Sequence, residues 1–203
     1  MAFHARSSRG PHPQEAELFA PAVWPRLQTA TNELSWLLTR GYATPSAVKL
    51  VGDRHNLNQR QRVAVMRCAC SDAAREHRCN RSVSPDAIIG KPLLIDGYNV
   101  LTSIEAALGD GVILRARDGC FRDMASMHGT YRKVEETVPA IELLGKFLSR
   151  FQPSFCRWLL DGPVGNSGRL REMIFQIGQR EQWNWEVELA SNPDAILRRR
   201  FYI

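Results

Sequence analysis

Over the first eighty residues the apolar positions recur at helical spacing. Between Leu18 and Leu38 they fall at Leu27, Leu34, Trp36, Leu37 and Leu38. Pro25 stands where a helix can open, and Arg40-Gly41 supplies a basic last turn and a C-cap glycine. Thr44-Pro45-Ser46 opens a shorter helix carrying Ala47, Val48 and Leu50, which Gly52-Asp53 breaks. Asn58 to Arg67 reads as another, with Val63 and Met66 on one stripe. The pattern predicts a compact bundle of three or four helices over residues 18–80. Residues 1–17, with two prolines and little to bury, read as a loose leader. Residues 71–90 are polar, and Pro85 with the Gly90-Lys91-Pro92 break places a linker at 81–90.

From Lys91 the beat changes. Leu93-Leu94-Ile95, bounded by Pro92 and Asp96-Gly97, has the form of a buried strand ending at its C-terminal tip. A short helix starts near Thr102-Ser103-Ile104-Glu105 and stops at Gly109-Asp110-Gly111, and Val112-Ile113-Leu114 reads as a second strand. Glu135 to Phe151 is the clearest helix, with Val138, Ile141, Leu144 or Gly145, and Leu148 at helical spacing. Phe155 to Leu160 is a third strand, ending at Asp161-Gly162-Pro163. Asn166-Ser167-Gly168 turns into a helix carrying Leu170, Ile174 and Ile177, and Trp183 to Leu189 alternates with strand period. Strand and helix in alternation predict an α/β domain over residues 91–203 with a mostly parallel sheet, preceded by a small all-helical domain.

Composition adds bounds. Apolar content of 44% and charged content of 24% are ordinary for a globular chain. The sequence has no run of eighteen apolar residues, so no helical membrane span is expected. Five cysteines, without a disulfide-scaffold look and without an export signal, lead to the expectation of a reducing, cytoplasmic setting. The Cys68, Cys70 and Cys79 spacings do not match paired zinc ligands, so ordinary thiols are expected there. Charge is uneven. Residues 1–85 carry twelve lysines and arginines against six acids, whereas residues 86–203 carry fifteen against fifteen. A basic module beside a neutral one suits a nucleic-acid tether joined to a catalytic or docking domain, and suits equally a solvated basic helical face. Arg54, Arg60 and Arg67 are the candidate phosphate contacts, Arg60 and Arg67 sharing a face two turns apart; packing against the second domain is the other use for them.

In open α/β sheets the ligand crevice lies at the C-terminal strand tips. Asp96 and Asp161 each end an apolar run and precede glycine. In a parallel sheet such tips converge, and two carboxylates can share a divalent cation; a plain turn aspartate fits the local pattern as well. Asp118, Asp123 and Asp194 are further carboxylates that could join them. Neither a Walker loop nor GxGxxG is present, which turns the reading away from a nucleotide-binding Rossmann domain.

Leu94-Ile95-Asp96-Gly97-Tyr98-Asn99-Val100 resembles the opening of PIN-like and NYN-type nuclease domains, where a strand ends in aspartate with asparagine three residues on. The wider pattern is similar to a prokaryotic family known as domain of unknown function 434 with a companion PIN-like domain. The matching residues are Trp36 to Tyr42, Val51 to His55, Asp118-Gly119 with Arg122-Asp123, and Asp161 to Val164 with Asn166-Ser167-Gly168. The resemblance implies a PIN-like three-layer fold and a ribonuclease using Mg²⁺ or Mn²⁺. In it Asp96 leads the metal set with Asn99 as helper, Asp161 and Asp123 complete the set, and Arg122 and Ser167 contact the substrate. A nucleophilic Ser167 is disfavoured, because only His128 is on offer as a base. The alternatives are a non-catalytic RNA- or DNA-binding or regulatory protein that keeps the fold, and a phosphatase or nucleotide-processing enzyme on the same kind of sheet. Members of the family continue past Asn192-Pro193-Asp194 into another strand, whereas this chain stops at Ile203. The expectation is an acidic set short of one member and an open sheet edge that a homodimer or protein partner covers.

Overall fold

The computed structural model describes residues 8, 10, 11, 13–124 and 131–199. In chain order the elements are α1 (Glu15–Leu18), α2 (Trp24–Thr39), α3 (Thr44–Arg54), α4 (Gln59–Cys68), α5 (Asp72–Cys79), β1 (Pro92–Asp96) and α6 (Gly97–Leu108). There follow β2 (Ile113–Arg115), β3 (Phe121–Asp123), α7 (Thr137–Ser149), β4 (Phe155–Asp161), α8 (Ser167–Arg180), β5 (Trp185–Ala190) and α9 (Pro193–Arg199). His128 lies outside the described residues.

The chain forms two compact units that interleave along the sequence. One comprises Gly10–Ser82 and Asp110–Met124; the other comprises Val83–Gly109, Ala125–Ile203 and Met1–Arg9. The expectation of one continuous domain from residue 91 therefore meets an exchange, since Asp110–Met124 belongs with the helices.

In the helical unit, α2, α3 and α4 enclose Ala30, Leu34, Ala47, Val51, Leu57 and Val65. Helix α4 starts on a capping box: the Asn58 side chain accepts from the Gln61 backbone N–H, and the Gln61 side chain accepts from the Asn58 N–H. Polar residues 71–80 form a helix, because Ser71 caps it by accepting from the Ala74 N–H at 3.2 Å. Val112-Ile113-Leu114, read above as a strand of the parallel sheet, contributes instead to an antiparallel hairpin of β2 and β3. Its loop is tied to the ends of α4 and α5. The Arg117 backbone N–H donates to the Cys68 carbonyl and its guanidinium to the Cys70 carbonyl, both at 2.9 Å, while Asp72 takes a further guanidinium N–H at 2.5 Å.

The α/β unit is built on a parallel three-stranded sheet in the order β1-β4-β5. Side chains alternate across it. Leu93 and Ile95, Cys156, Trp158 and Leu160, and Trp185 and Val187 share one face and enter the main core with residues of α6, α7 and α8. On the opposite face Arg157 holds Glu186 at 2.7 Å and Glu188 at 3.8 Å. Strands β1 and β5 are the edges of this sheet. Pro92 and the glutamates of β5 are the residue types that blunt an edge against pairing with another chain. Gly145 of α7 meets the Trp183 ring, which sits where a Cβ would stand, only 2.0 Å from the nearest ring carbon.

Candidate acidic site at the strand tips

Strands β1 and β4 are hydrogen-bonded neighbours, with Asp96 opposite Leu159 and Asp161 two residues farther along. Parallel pairing thus carries both carboxylates to the same end of the sheet. Asp96 is also the N-cap of α6: its carboxylate accepts from the Asn99 backbone N–H at 3.2 Å and from the Asn99 side-chain amide at 2.6 Å. Capping orients the carboxylate and sets a negative charge at the positive end of the helix dipole. The glycine after Asp96 matters for packing rather than for a tight turn. A Cβ at Gly97 would come within 2.5 Å of Leu160 Cδ2 and 3.1 Å of the Leu159 carbonyl oxygen, so the first turn of α6 lies directly against β4.

Asp161 ends β4, and its neighbour Gly162 donates its N–H to the Ala190 carbonyl at 2.8 Å. The Asp161 carboxyl is raised above the ordinary carboxylate range, first by burial and then by the negative charges of Asp96 and Asp194. Asp194, in the first turn of α9, therefore joins the electrostatic neighbourhood of the two strand tips. Among the described residues no three His, Cys, Asp or Glu side chains stand close enough to hold one metal ion together.

Ser167 has other work than touching a phosphate. It is buried, donates to the Asp161 carbonyl at 2.6 Å with the Val164 carbonyl also in reach, and accepts from the Tyr98 hydroxyl at 2.9 Å. The preceding Asn166 takes a left-handed conformation with φ of 70° and donates its amide to the Tyr131 carbonyl at 3.0 Å. Beyond it is a buried polar network. The Glu105 carboxylate, 0% exposed, accepts from the hydroxyls of Tyr131 and Thr137, the latter at 2.6 Å. The Tyr98 and Tyr131 rings are in contact, with centroids 5.4 Å apart.

The remaining sequence candidates lie in the helical unit, several of them in internal ion pairs. Asp118, its side chain 1% exposed, accepts two guanidinium hydrogen bonds from Arg122 at 2.7 and 2.8 Å and one from Arg78 at 2.7 Å. These cations hold its carboxyl well below the usual range. Asp123 is buried and faces Arg67 at 3.7 Å. Arg60 is paired with the buried Glu15. Arg54 is mostly exposed and meets Glu33 at 3.5 Å. Of the proposed metal set, Asp96 and Asp161 share the α/β unit, and Asp123 belongs to the other unit. All five cysteines are free thiols, and burial pushes Cys156 up to about 11.

Residues 85–203 match the family described as Domain of unknown function (DUF5616). The chain belongs to this family. Residues 26–81 match a second description, Protein of unknown function (DUF434), so the two matched segments follow the helical and α/β readings of the sequence. The DUF5616 segment contains Asp96, Asn99, Asp161, Ser167 and Asp194, and also the hairpin that the helical unit takes up. The chain is similar to "Uncharacterized protein MJ0935" of Methanocaldococcus jannaschii, with 27% identity over 174 residues, 86% of this chain and 83% of that protein. No solved structure matches the chain.

Sequence reasoning missed the Glu105 network and the job of Ser167. Glu105 is spaced like an ordinary early-helix acid, and nothing local announces its burial. A weak signal existed for Ser167: a serine directly after an asparagine at a helix start is a common turn-forming pair.

Proposed function

We propose that the α/β unit is a PIN-like, metal-assisted phosphodiesterase acting on RNA, with Asp96 and Asp161 as its working carboxylates. The observation that carries this reading is the parallel register of β1 and β4, which brings Asp96 and Asp161 to the same end of the sheet; burial, and after it the charges of Asp96 and Asp194, raises the Asp161 carboxyl there. Like charges gathered at strand tips are a cost to folding that a bound cation relieves. Oxygen donors of this kind suit Mg²⁺ or Mn²⁺, and Mg²⁺ sites are commonly built from one or two carboxylates, waters and substrate phosphate rather than a full protein cage. Two carboxylates at one end of a parallel sheet fit that mode. Asp96 and Asp161 would hold the ion, which when bound supplies an activated water and charge neutralisation on the phosphate. Asn99 fixes the Asp96 carboxylate through its amide, Ser167 fixes the backbone of Asp161, and Asp194 adds negative charge at the mouth.

The test is cleavage of a labelled single-stranded RNA by the full chain with Mn²⁺ and with chelator. Asp96→Asn and Asp161→Asn are expected to lower the metal-dependent rate by about 10²–10³-fold, as when a charge-stabilising group leaves an active site. Equal rates before and after Asp96→Asn would overturn the proposal. Salt-dependent RNA binding without metal-dependent cleavage would favour the non-catalytic alternative.

A further inference from the structure

The helical unit carries a surface that no part of the strand-tip reading uses. Between α2 and α3 runs a groove of about 520 Å³, lined by Asn32, Glu33, Trp36, Leu37, Leu50, Val51 and Arg54. Its floor is aliphatic. Its walls expose large apolar side chains, Trp36 at 53% and Leu50 at 60%. Large apolar side chains exposed together beside an aliphatic groove are the feature that an interaction site presents.

The rim of the groove is basic. Arg40 stacks on Trp36, its guanidinium carbon 3.5 Å from the ring centroid. Arg54 lines the other wall with its side chain 71% exposed. The acid in the groove, Glu33, is engaged by His55 at 2.8 Å and by Arg54. The rim thus presents cations on both walls, and the helical unit as a whole has thirteen lysines and arginines against nine acids. Arg40 already occupies one face of Trp36, and the floor offers the aliphatic Leu37 and Val51 rather than a flat platform for a nucleobase. A groove between two helices with aliphatic residues along it accepts side chains spaced three and four apart on a helix.

We infer that the α2–α3 groove docks an amphipathic helix of a partner protein, whose apolar face enters between Trp36 and Leu50 and whose acidic flanks meet Arg40 and Arg54. The apolar contact supplies the affinity and the arginines select the sign of charge.

The probes are fluorescein-labelled helical peptides of about 16 residues, roughly 24 Å of helix, with leucine at i, i+3, i+4 and i+7. One version carries glutamate on its flanks and the other lysine. Fluorescence anisotropy with the full chain is expected to show the acidic helix binding about tenfold tighter than the basic one at low salt, with the gap closing as salt rises. Leu50→Asp places a charge on an exposed residue, so folding is retained, as circular dichroism would check, and binding falls at least about tenfold. Arg54→Glu narrows or reverses the preference between the two helices. The inference is overturned if neither helix binds, if both bind alike, or if Leu50→Asp leaves peptide binding unchanged. It is overturned in favour of a nucleic-acid surface if Leu50→Asp weakens a labelled single-stranded RNA and not the acidic helix.

Discussion

The Ser167 hydroxyl donates to the backbone carbonyl of Asp161 at 2.6 Å, so the start of α8 is fastened to the tip of β4. The bond spans the Gly162-Pro163 turn, and the Tyr98 hydroxyl from α6 completes the serine's hydrogen bonding. One small side chain therefore links a strand tip to the helices on either side of it.

Ser167→Ala removes that link and leaves the Tyr98 hydroxyl buried without its acceptor. The expected loss is about 1–3 kcal/mol of unfolding free energy, measured by urea titration. Tyr98→Phe, which removes donor and mismatch together, is expected to cost less than Ser167→Ala.

Asp161→Asn is expected to stabilise the protein at neutral pH while lowering the proposed metal-dependent rate. Burial and the charges of Asp96 and Asp194 raise the folded-state carboxyl above its unfolded value. The folded state therefore holds this proton more firmly, and stability is lost as pH rises from about 4, the unfolded value, through the folded one. An asparagine carries no such loss. The Tm gain over the parent should be present at pH 7 and vanish in acid below about pH 4. A variant less stable than the parent at pH 7 would contradict this.

Asp118 titrates with the opposite sign. Arg122 and Arg78 depress its folded-state carboxyl below the unfolded value. Its contribution is fully present above about pH 4 and is lost as pH falls toward the folded value. Asp118→Asn is expected to cost about 2–3 kcal/mol at pH 7, the scale of hydrogen bonds to a charged group, and to flatten the acid limb of the stability curve. Chemical denaturation across pH 2–7 reads both effects.

Gly97→Ala tests the packing of α6 on β4. The added Cβ meets Leu160 Cδ2 at 2.5 Å and the Leu159 carbonyl at 3.1 Å, so the leucine must move and the helix start shifts with Asp96. The expected cost is about 1–3 kcal/mol, typical of overpacking, with a fall in any metal-dependent rate larger than stability explains.

The strand tips were legible because their signal is local. An apolar run, then aspartate, then glycine specifies a buried strand and its end, and both Asp96 and Asp161 follow it. Helices α7 and α8 were legible for the same reason. Partnership was not. Arg60 and Arg67 share a helical face as the spacing says, but their acids, Glu15 and Asp123, are 45 and 56 residues away in sequence and no periodicity announces them. Ile113–Arg115 has the apolar look of any short strand, and only its antiparallel pairing with Phe121–Asp123 separates it from the parallel sheet. Helix α5 was hidden by its polarity, since all of its residues lie outside the buried core and its cap is a single serine.

The exchange of Asp110–Met124 into the helical unit bears on the order in which the protein is made. On the ribosome the amino-terminal unit is not complete when Ser82 emerges. It must wait for Met124, by which time β1 and α6 of the other unit have been translated and their partner strand β4 has not. The nascent chain thus carries an unpaired β1, with its Leu93-Leu94-Ile95 run, through the interval in which the helices are still missing their hairpin.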